Sequence, residues 1–162
     1  MGTCGGKGIS MLRGINAVTL DAKGRMAIPT QYRERFIESN EGAMVVTIDT
    51  EDRCLMLYPA DAWQEIEDQL ASLPTFNPAT RRIQRLLIGH AADLVMDKNG
   101  RVLIPTLLRD YAGLDKNVIL LGQGKRFEIW GESQWELGRD SWLAVDFDQD
   151  GGVPPELMTL SL

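Results

Sequence analysis

Long apolar runs, cysteines and histidines are scarce in this 162-residue chain, and each scarcity removes a class of protein. No stretch of about 18 apolar residues occurs, so no segment suits a membrane-spanning helix. One histidine and two cysteines leave few metal ligands and no disulfide framework. Cys4 lies in the Gly-rich opening MGTCGGKGIS (1–10), which lacks the apolar stretch of a signal peptide. That opening reads as an added leader, with Met11 the expected natural start and Cys54 the one native cysteine. A reducing cytoplasm is the expected compartment. Basic charge is also short: 17 Lys and Arg stand against 23 Asp and Glu, a formal net charge of −6. An average of that sign argues against a nonspecific coat on nucleic acid. At 44% hydrophobic and 25% charged, the composition is that of a soluble globular protein of one domain or two very small ones.

What the chain does contain is a repeat. DAKGRMAIPTQYR (21–33) returns as DKNGRVLIPTLLR (97–109) at a constant offset of 76 positions. Seven pairs are identical: Asp21/Asp97, Gly24/Gly100, Arg25/Arg101, Ile28/Ile104, Pro29/Pro105, Thr30/Thr106 and Arg33/Arg109. Farther on, CLMLYPADAW (54–63) matches RFEIWGESQW (126–135) at an offset of 72, so the second copy is about four residues shorter in between. Order, spacing and residue type agree together, which identifies two copies of one unit.

Each copy predicts the same α+β series. AVTL (17–20) and ADLVM (92–96) are β-prone, and a polar Asp-x-x-Gly-Arg turn follows in which Gly24 or Gly100 supplies positive φ. MAIP or VLIP forms a second strand that the proline closes. Thr30 or Thr106 is then expected to cap a short helix. Hairpins follow, MVVTI to CLMLY through TEDR, and NVILL to RFEIW through GQGK. Asp61 is expected to cap the next helix, with Trp63, Ile66, Leu70 and Leu73 on one stripe. Asn77 with Pro78 opens a basic helix reaching about His90, and Glu132 or Ser133 opens one through Trp135 and Trp142. From about Ala144 the chain is acidic and reads as a mobile tail.

An arginine at a β-turn tip carries a planar fork of five donors, suited to phosphate oxygens or the O6/N7 edge of guanine. An Asp four residues earlier can pin it or bond the turn amides, and Lys23 and Lys98 add positive charge. Taken alone, one such turn reads rather as a surface ion pair that shapes its loop, and the second copy shifts the reading toward recognition of a repetitive ligand. Charge along the chain favours recognition. Residues 11–39 carry five basic and three acidic side chains, net +2, and residues 81–109 carry six and two, net +4. Residues 41–73 and 128–162 each hold one basic and eight acidic, net −7. Such segregation suits one face meeting an anion and another meeting water or like subunits.

The paired Asp-x-x-Gly-Arg turns, each followed by Ile-Pro, and the intervening RRIQRLLIGHA (81–91) resemble the MraZ family of bacterial transcriptional regulators, within the AbrB-like swapped-hairpin superfamily. The resemblance runs from Met11 to about Trp142. It implies tandem AbrB-like half-domains, residues 15–58 and 92–135, packed as an intrachain pseudo-dimer with interlocked hairpins. Residues 59–91 would be a helical linker, and residues 136–162 a C-terminal helix and acidic tail. It further implies a ring-like homo-oligomer, nucleoid-associated, binding short direct repeats upstream of its own operon and the division and cell wall gene cluster as a repressor. The implied DNA-binding residues are Asp21, Lys23, Arg25, Asp97, Lys98, Arg101 and Arg13. Asn99 stands where the first copy has Lys23, so the halves are expected to contribute unequally. The alternative is an AbrB-like antitoxin or interaction module whose tail neutralises a partner.

Other signals are weaker. DFDQDG (146–151) imitates the start of a calcium loop, but its twelfth position is Leu157 rather than a bidentate Glu. His90 and Cys54 lack a third group for nucleophilic catalysis; they read as a helix-end residue and a small core or interface residue. Gly122 and Gly124 mark a hairpin rather than a dinucleotide loop. Trp63, Trp130, Trp135 and Trp142 could stack on single strands, but core or subunit contacts suit them better. No convergent acid, base, nucleophile or metal set emerges, so neither enzyme activity nor a cofactor is expected.

Overall fold

The computed structural model describes residues 11–145 and 153–161. Residues 1–10, expected to be a leader, and the DFDQDG stretch lie outside the described residues. Contacts divide the chain after Glu132 into two compact units.

In the first unit, the first copy supplies β1 (Leu12–Thr19), β2 (Arg25–Ala27), α1 (Thr30–Asn40), β3 (Ala43–Ile48), β4 (Leu55–Pro59) and α2 (Ala60–Ala71). Helix α3 (Pro78–Leu87) leads to the second copy's β5 (Ala92–Val95), β6 (Arg101–Leu103), α4 (Thr106–Ala112), β7 (Asn117–Gly124) and β8 (Phe127–Gly131). Six strands form one antiparallel sheet in the order β1-β7-β8-β4-β3-β5, and β2 pairs with β6 in a separate two-stranded ribbon. The copies therefore interleave. First-copy β1 lies on second-copy β7, with Val18 opposite Val118, while second-copy β5 lies on first-copy β3, with Leu94 opposite Met44. At the centre β4 meets β8, Leu55 opposite Ile129.

Burial on both faces explains why the centre of the sheet holds. β3, β4 and β8 are buried along nearly their whole length, so both sheet faces are covered there. One face packs Phe36, Phe127, Leu55, Leu57, Ile28 and Ile104 into the main core. Phe127 sits edge-on to Tyr32 at a centroid distance of 4.8 Å. The other face packs Val45, Met56 and Tyr58 against Trp63 of α2, with Leu87 of α3 beside them. The buried Thr47 hydroxyl donates to the Leu87 carbonyl at 2.7 Å, which removes the cost of an unpaired hydroxyl.

Helix starts depart from expectation at three places. Thr30 and Thr106 are the first helical residues rather than caps, since Pro29 and Pro105 take the cap position without a side-chain bond. Proline holds φ near −55° there, and its carbonyl receives the first helical N–H. Asp61 likewise falls inside α2, whose cap is Pro59. Asn40, ending α1, bonds it instead: the Asp61 N–H donates to Asn40 Oδ1 at 3.1 Å. Asn77 does cap α3, accepting from the Ala79 and Thr80 N–H groups. Helix α3 stops at Leu87, short of His90, and α2 stops before Leu73, which is left exposed.

The shortening of the second copy is split. The offset falls from 76 at the turns to 74 between β3 and β7 (Asn117 against Ala43), then to 72 between β4 and β8 (Phe127 against Leu55). Gly122 and Gly124, expected in the hairpin turn, belong to β7, which runs on because β1 pairs along it as far as Gly124. A Cβ at Gly122 would lie 2.5 Å from the Arg13 backbone nitrogen, so only glycine permits that approach.

The second unit holds most of α5 (Glu132–Ala144), in which Trp135 and Trp142 meet edge to face at 5.8 Å. It also contains α6 (Pro155–Met158), so the acidic stretch is not wholly irregular. No helix among the described residues is long and apolar enough to cross a membrane.

Candidate nucleic-acid interface

Both Asp-x-x-Gly-Arg segments close into the same turn. In the first, the Gly24 N–H donates to the Asp21 carbonyl at 3.0 Å and the Asp21 N–H to the Arg25 carbonyl at 2.9 Å. The Asp21 carboxylate completes the loop. Its Oδ1 accepts from the Lys23 and Arg25 N–H groups, both at 2.9 Å, and its Oδ2 accepts from Arg25 Nε at 2.8 Å. In the second, Asp97 Oδ1 accepts from the Asn99 and Arg101 N–H groups, and Oδ2 from Arg101 Nε at 3.2 Å. The alignment of Lys23 with Asn99 is thus reproduced bond for bond. Gly24 and Gly100 have φ of 90° and 77°, the conformation expected of them.

These bonds also set the charge state. The Arg25 backbone N–H, before any other favourable contact, holds the Asp21 carboxyl below its ordinary value of 3.8, and the Arg101 N–H does the same for Asp97. Both aspartates stay ionised at neutral pH.

The arginines are not at the turn tips. Arg25 opens β2 and Arg101 opens β6, while Ala22–Lys23 and Lys98–Asn99 occupy the exposed tips. Along the ribbon Arg25 is opposite Leu103 and Ala27 opposite Arg101, with Met26 and Val102 turned into the core. Strand alternation then places Arg25, Ala27, Arg101 and Leu103 on the outward face. The two arginines are diagonal neighbours, about 7–8 Å apart along the backbone of such a ribbon. Each commits Nε to its aspartate. Among the described residues the terminal guanidinium nitrogens of Arg25 and Arg101 donate no further protein bond, and both side chains are about one-third exposed.

Two residues stand in roles that motif reading did not assign. Arg33 Nε donates to the Ile28 carbonyl at 2.7 Å, and Arg109 Nε to the Ile104 carbonyl at 2.9 Å. Their identity between the copies was the only signal in the sequence. Arg13, by contrast, is not brought to the turns. It lies near the far end of β1, six residues from Thr19, about 20 Å at strand rise.

Elsewhere, Cys54, Asp49 and Glu128 lie together, their ligand-type atoms within 4.8 Å of one another. Burial, then the Glu128 and Asp49 charges, pushes the Cys54 thiol far up, so it stays protonated. It donates weakly to Asp49 Oδ2 at 3.6 Å. Glu128 accepts from Trp130 Nε1 at 3.0 Å and faces Arg126 Nη2 at 3.5 Å. His90 Nδ1 is bonded to the Leu86 carbonyl at 2.7 Å, so it and Cys54 are engaged with different partners. Trp63 and Trp130 are core residues, as expected of them.

Comparison with known proteins covers nearly the whole chain. The family profile described as "MraZ protein, putative antitoxin-like" matches twice, at residues 11–86 and 87–149. The chain is similar to proteins named "Transcriptional regulator MraZ" from several bacteria. It is 55% identical to one from Coxiella burnetii (strain Dugway 5J108-111), 56% to one from Legionella pneumophila (strain Corby) and 50% to one from Halorhodospira halophila. Each comparison spans 152 residues, 94% of this chain and 100% of the relative.

Proposed function

From the premise that this chain belongs to the MraZ family, we propose that it is a sequence-specific DNA-binding transcriptional regulator without enzymatic activity. The observation that carries this reading is the pair of aspartate-braced arginines on one outward face of the β2–β6 ribbon. A two-stranded ribbon is narrow enough for the major groove, and an arginine with free terminal nitrogens can grip guanine O6 and N7 in two parallel bonds. Lys23 and Lys98, at the exposed tips, are placed for the flanking phosphates. The strand exchange between copies is what a swapped-hairpin pseudo-dimer of half-domains 15–58 and 92–135 would require.

A ring of such chains would present many ribbons to short direct repeats, so modest single contacts are multiplied by effective concentration. The acidic stretches oppose nonspecific adhesion while the ribbon reads sequence. Repression of the chain's own operon and of the division and cell wall cluster, from the nucleoid of the cytoplasm, is the corresponding biological role. Footprinting on the DNA upstream of its gene, at stated salt, tests it. Regularly spaced protected repeats are expected, weakened by Arg25→Ala about 10- to 100-fold, the worth of one bidentate arginine–guanine contact. Uniform protection, or a stoichiometric co-purifying toxin with no operator binding, refutes it.

A further inference from the structure

We propose that Arg33 and Arg109 are positioning residues that act across the duplication, each holding the recognition turn of the other copy. The inference rests on the reading that these turns meet DNA. At Gly24 an added Cβ would lie 2.6 Å from Cζ and 2.7 Å from Nε of Arg109. At Gly100 it would press still closer on the same atoms of Arg33. The guanidinium end of each copy's arginine therefore lies directly against the glycine of the other copy's turn. Only a residue without a side chain leaves room for it.

A hydrogen-bond relay joins the same groups. Arg109 Nε donates to the Ile104 carbonyl at 2.9 Å, and the Ile104 N–H donates to the Gly24 carbonyl at 2.9 Å. In mirror image, Arg33 Nε donates to the Ile28 carbonyl at 2.7 Å, and the Ile28 N–H to the Gly100 carbonyl at 2.8 Å. Both isoleucines are fully buried, so each relay is shielded from water. Arg109 Nη2 is further tied to Thr106 Oγ1 at 2.8 Å. With Nε committed inward and the guanidinium packed against glycine, these arginines work through the turns rather than as outward contacts. Lysine could supply the charge but neither the flat face nor the Nε donor at that depth.

The test uses the full chain. Residue-resolved amide exchange is measured without DNA for the wild type, Arg109→Lys and Arg33→Lys, with β8 amides as the control for folding. In Arg109→Lys the Gly24 and Arg25 amides are expected to exchange about tenfold faster, the loss of roughly one charged hydrogen bond. The Gly100 and Arg101 amides of the same molecule keep wild-type rates. Arg33→Lys gives the reverse. A second arm compares a duplex of the DNA upstream of the gene with a shuffled duplex of equal length. Preference for the upstream duplex is expected to fall about tenfold in Arg109→Lys although charge is conserved, one hydrogen bond's worth of ordering. Loosening of the variant's own turn, of both turns equally, or of neither overturns the proposal. So does a loss of affinity for both duplexes with exchange unchanged, which would mark a direct phosphate contact. If the wild type fails to distinguish the duplexes, the DNA reading fails, and the exchange arm still decides the bracing.

Discussion

Asp21→Asn separates what the carboxylate does for stability from what it does for recognition. The asparagine oxygen can still accept from the Lys23 and Arg25 N–H groups, as Oδ1 does now. Its amide nitrogen, however, presents a donor to Arg25 Nε where Oδ2 now accepts at 2.8 Å. Because this ion pair is about one-third exposed, its net contribution to folding is small. The melting temperature should fall only slightly. Recognition should suffer more. An unbraced arginine retains rotamer freedom worth up to about 2 kcal/mol, which DNA binding must then remove. Affinity for the upstream repeats should therefore drop about tenfold, equivalent to roughly 1.4 kcal/mol. Loss of one negative charge meanwhile strengthens binding to any duplex, most at low salt. Titrating specific and shuffled duplexes by fluorescence anisotropy at two salt concentrations reads both effects. An unchanged or increased specificity ratio would refute the idea that aspartate pre-orients the arginine.

Phe127 has no exposed surface and packs on Tyr32 and Phe36, so Phe127→Ala should cost about 3–5 kcal/mol by urea denaturation. Glu41 ends α1 in the left-handed region at φ 57°, where the matching end of α4 has Gly113 at φ 62°. Glu41→Gly should therefore stabilise by about 0.5–1 kcal/mol in the same assay, relief of the left-handed penalty outweighing the added freedom of the unfolded chain. The depressed carboxyls of Asp21 and Asp97 contribute stability that is complete above their unfolded value of 3.8 and lost as pH falls through their lower folded values. Exchange at the Lys23 and Asn99 amides should accelerate there, beyond its intrinsic pH dependence, and Asp97→Asn should abolish the effect at Asn99 alone.

Features set by neighbours in sequence were legible without coordinates. The Asp-x-x-Gly-Arg turns bond within five residues, so residue type and spacing suffice to draw them. The Asn77–Pro78 helix start is equally local. Threonine after Ile-Pro misled because proline, its φ already fixed near the helix value, takes the cap position and leaves threonine as the first helical residue. Arginine at the turn tip misled because ribbon pairing, a contact between copies, draws Arg25 and Arg101 into strands. The bracing by Arg33 and Arg109 had no local signature at all. Their repetition was visible, but the glycines they cover belong to the other copy, 76 residues from the turn of their own.

The exchange of strands between copies also bears on how the chain is made. Thr19 pairs with Asn117 and Leu12 with Gly124, so β1 must wait for partners 98 to 112 positions later. At a synthesis rate of roughly 5–20 residues per second, that is a delay of about 5–20 s. During it β1 has no ladder partner, and β4 lacks β8 on its open edge. Neither copy can complete its sheet as it leaves the ribosome, so folding waits for nearly the whole first unit. Chains truncated before β7 should accumulate as aggregates or protease substrates rather than as half-proteins.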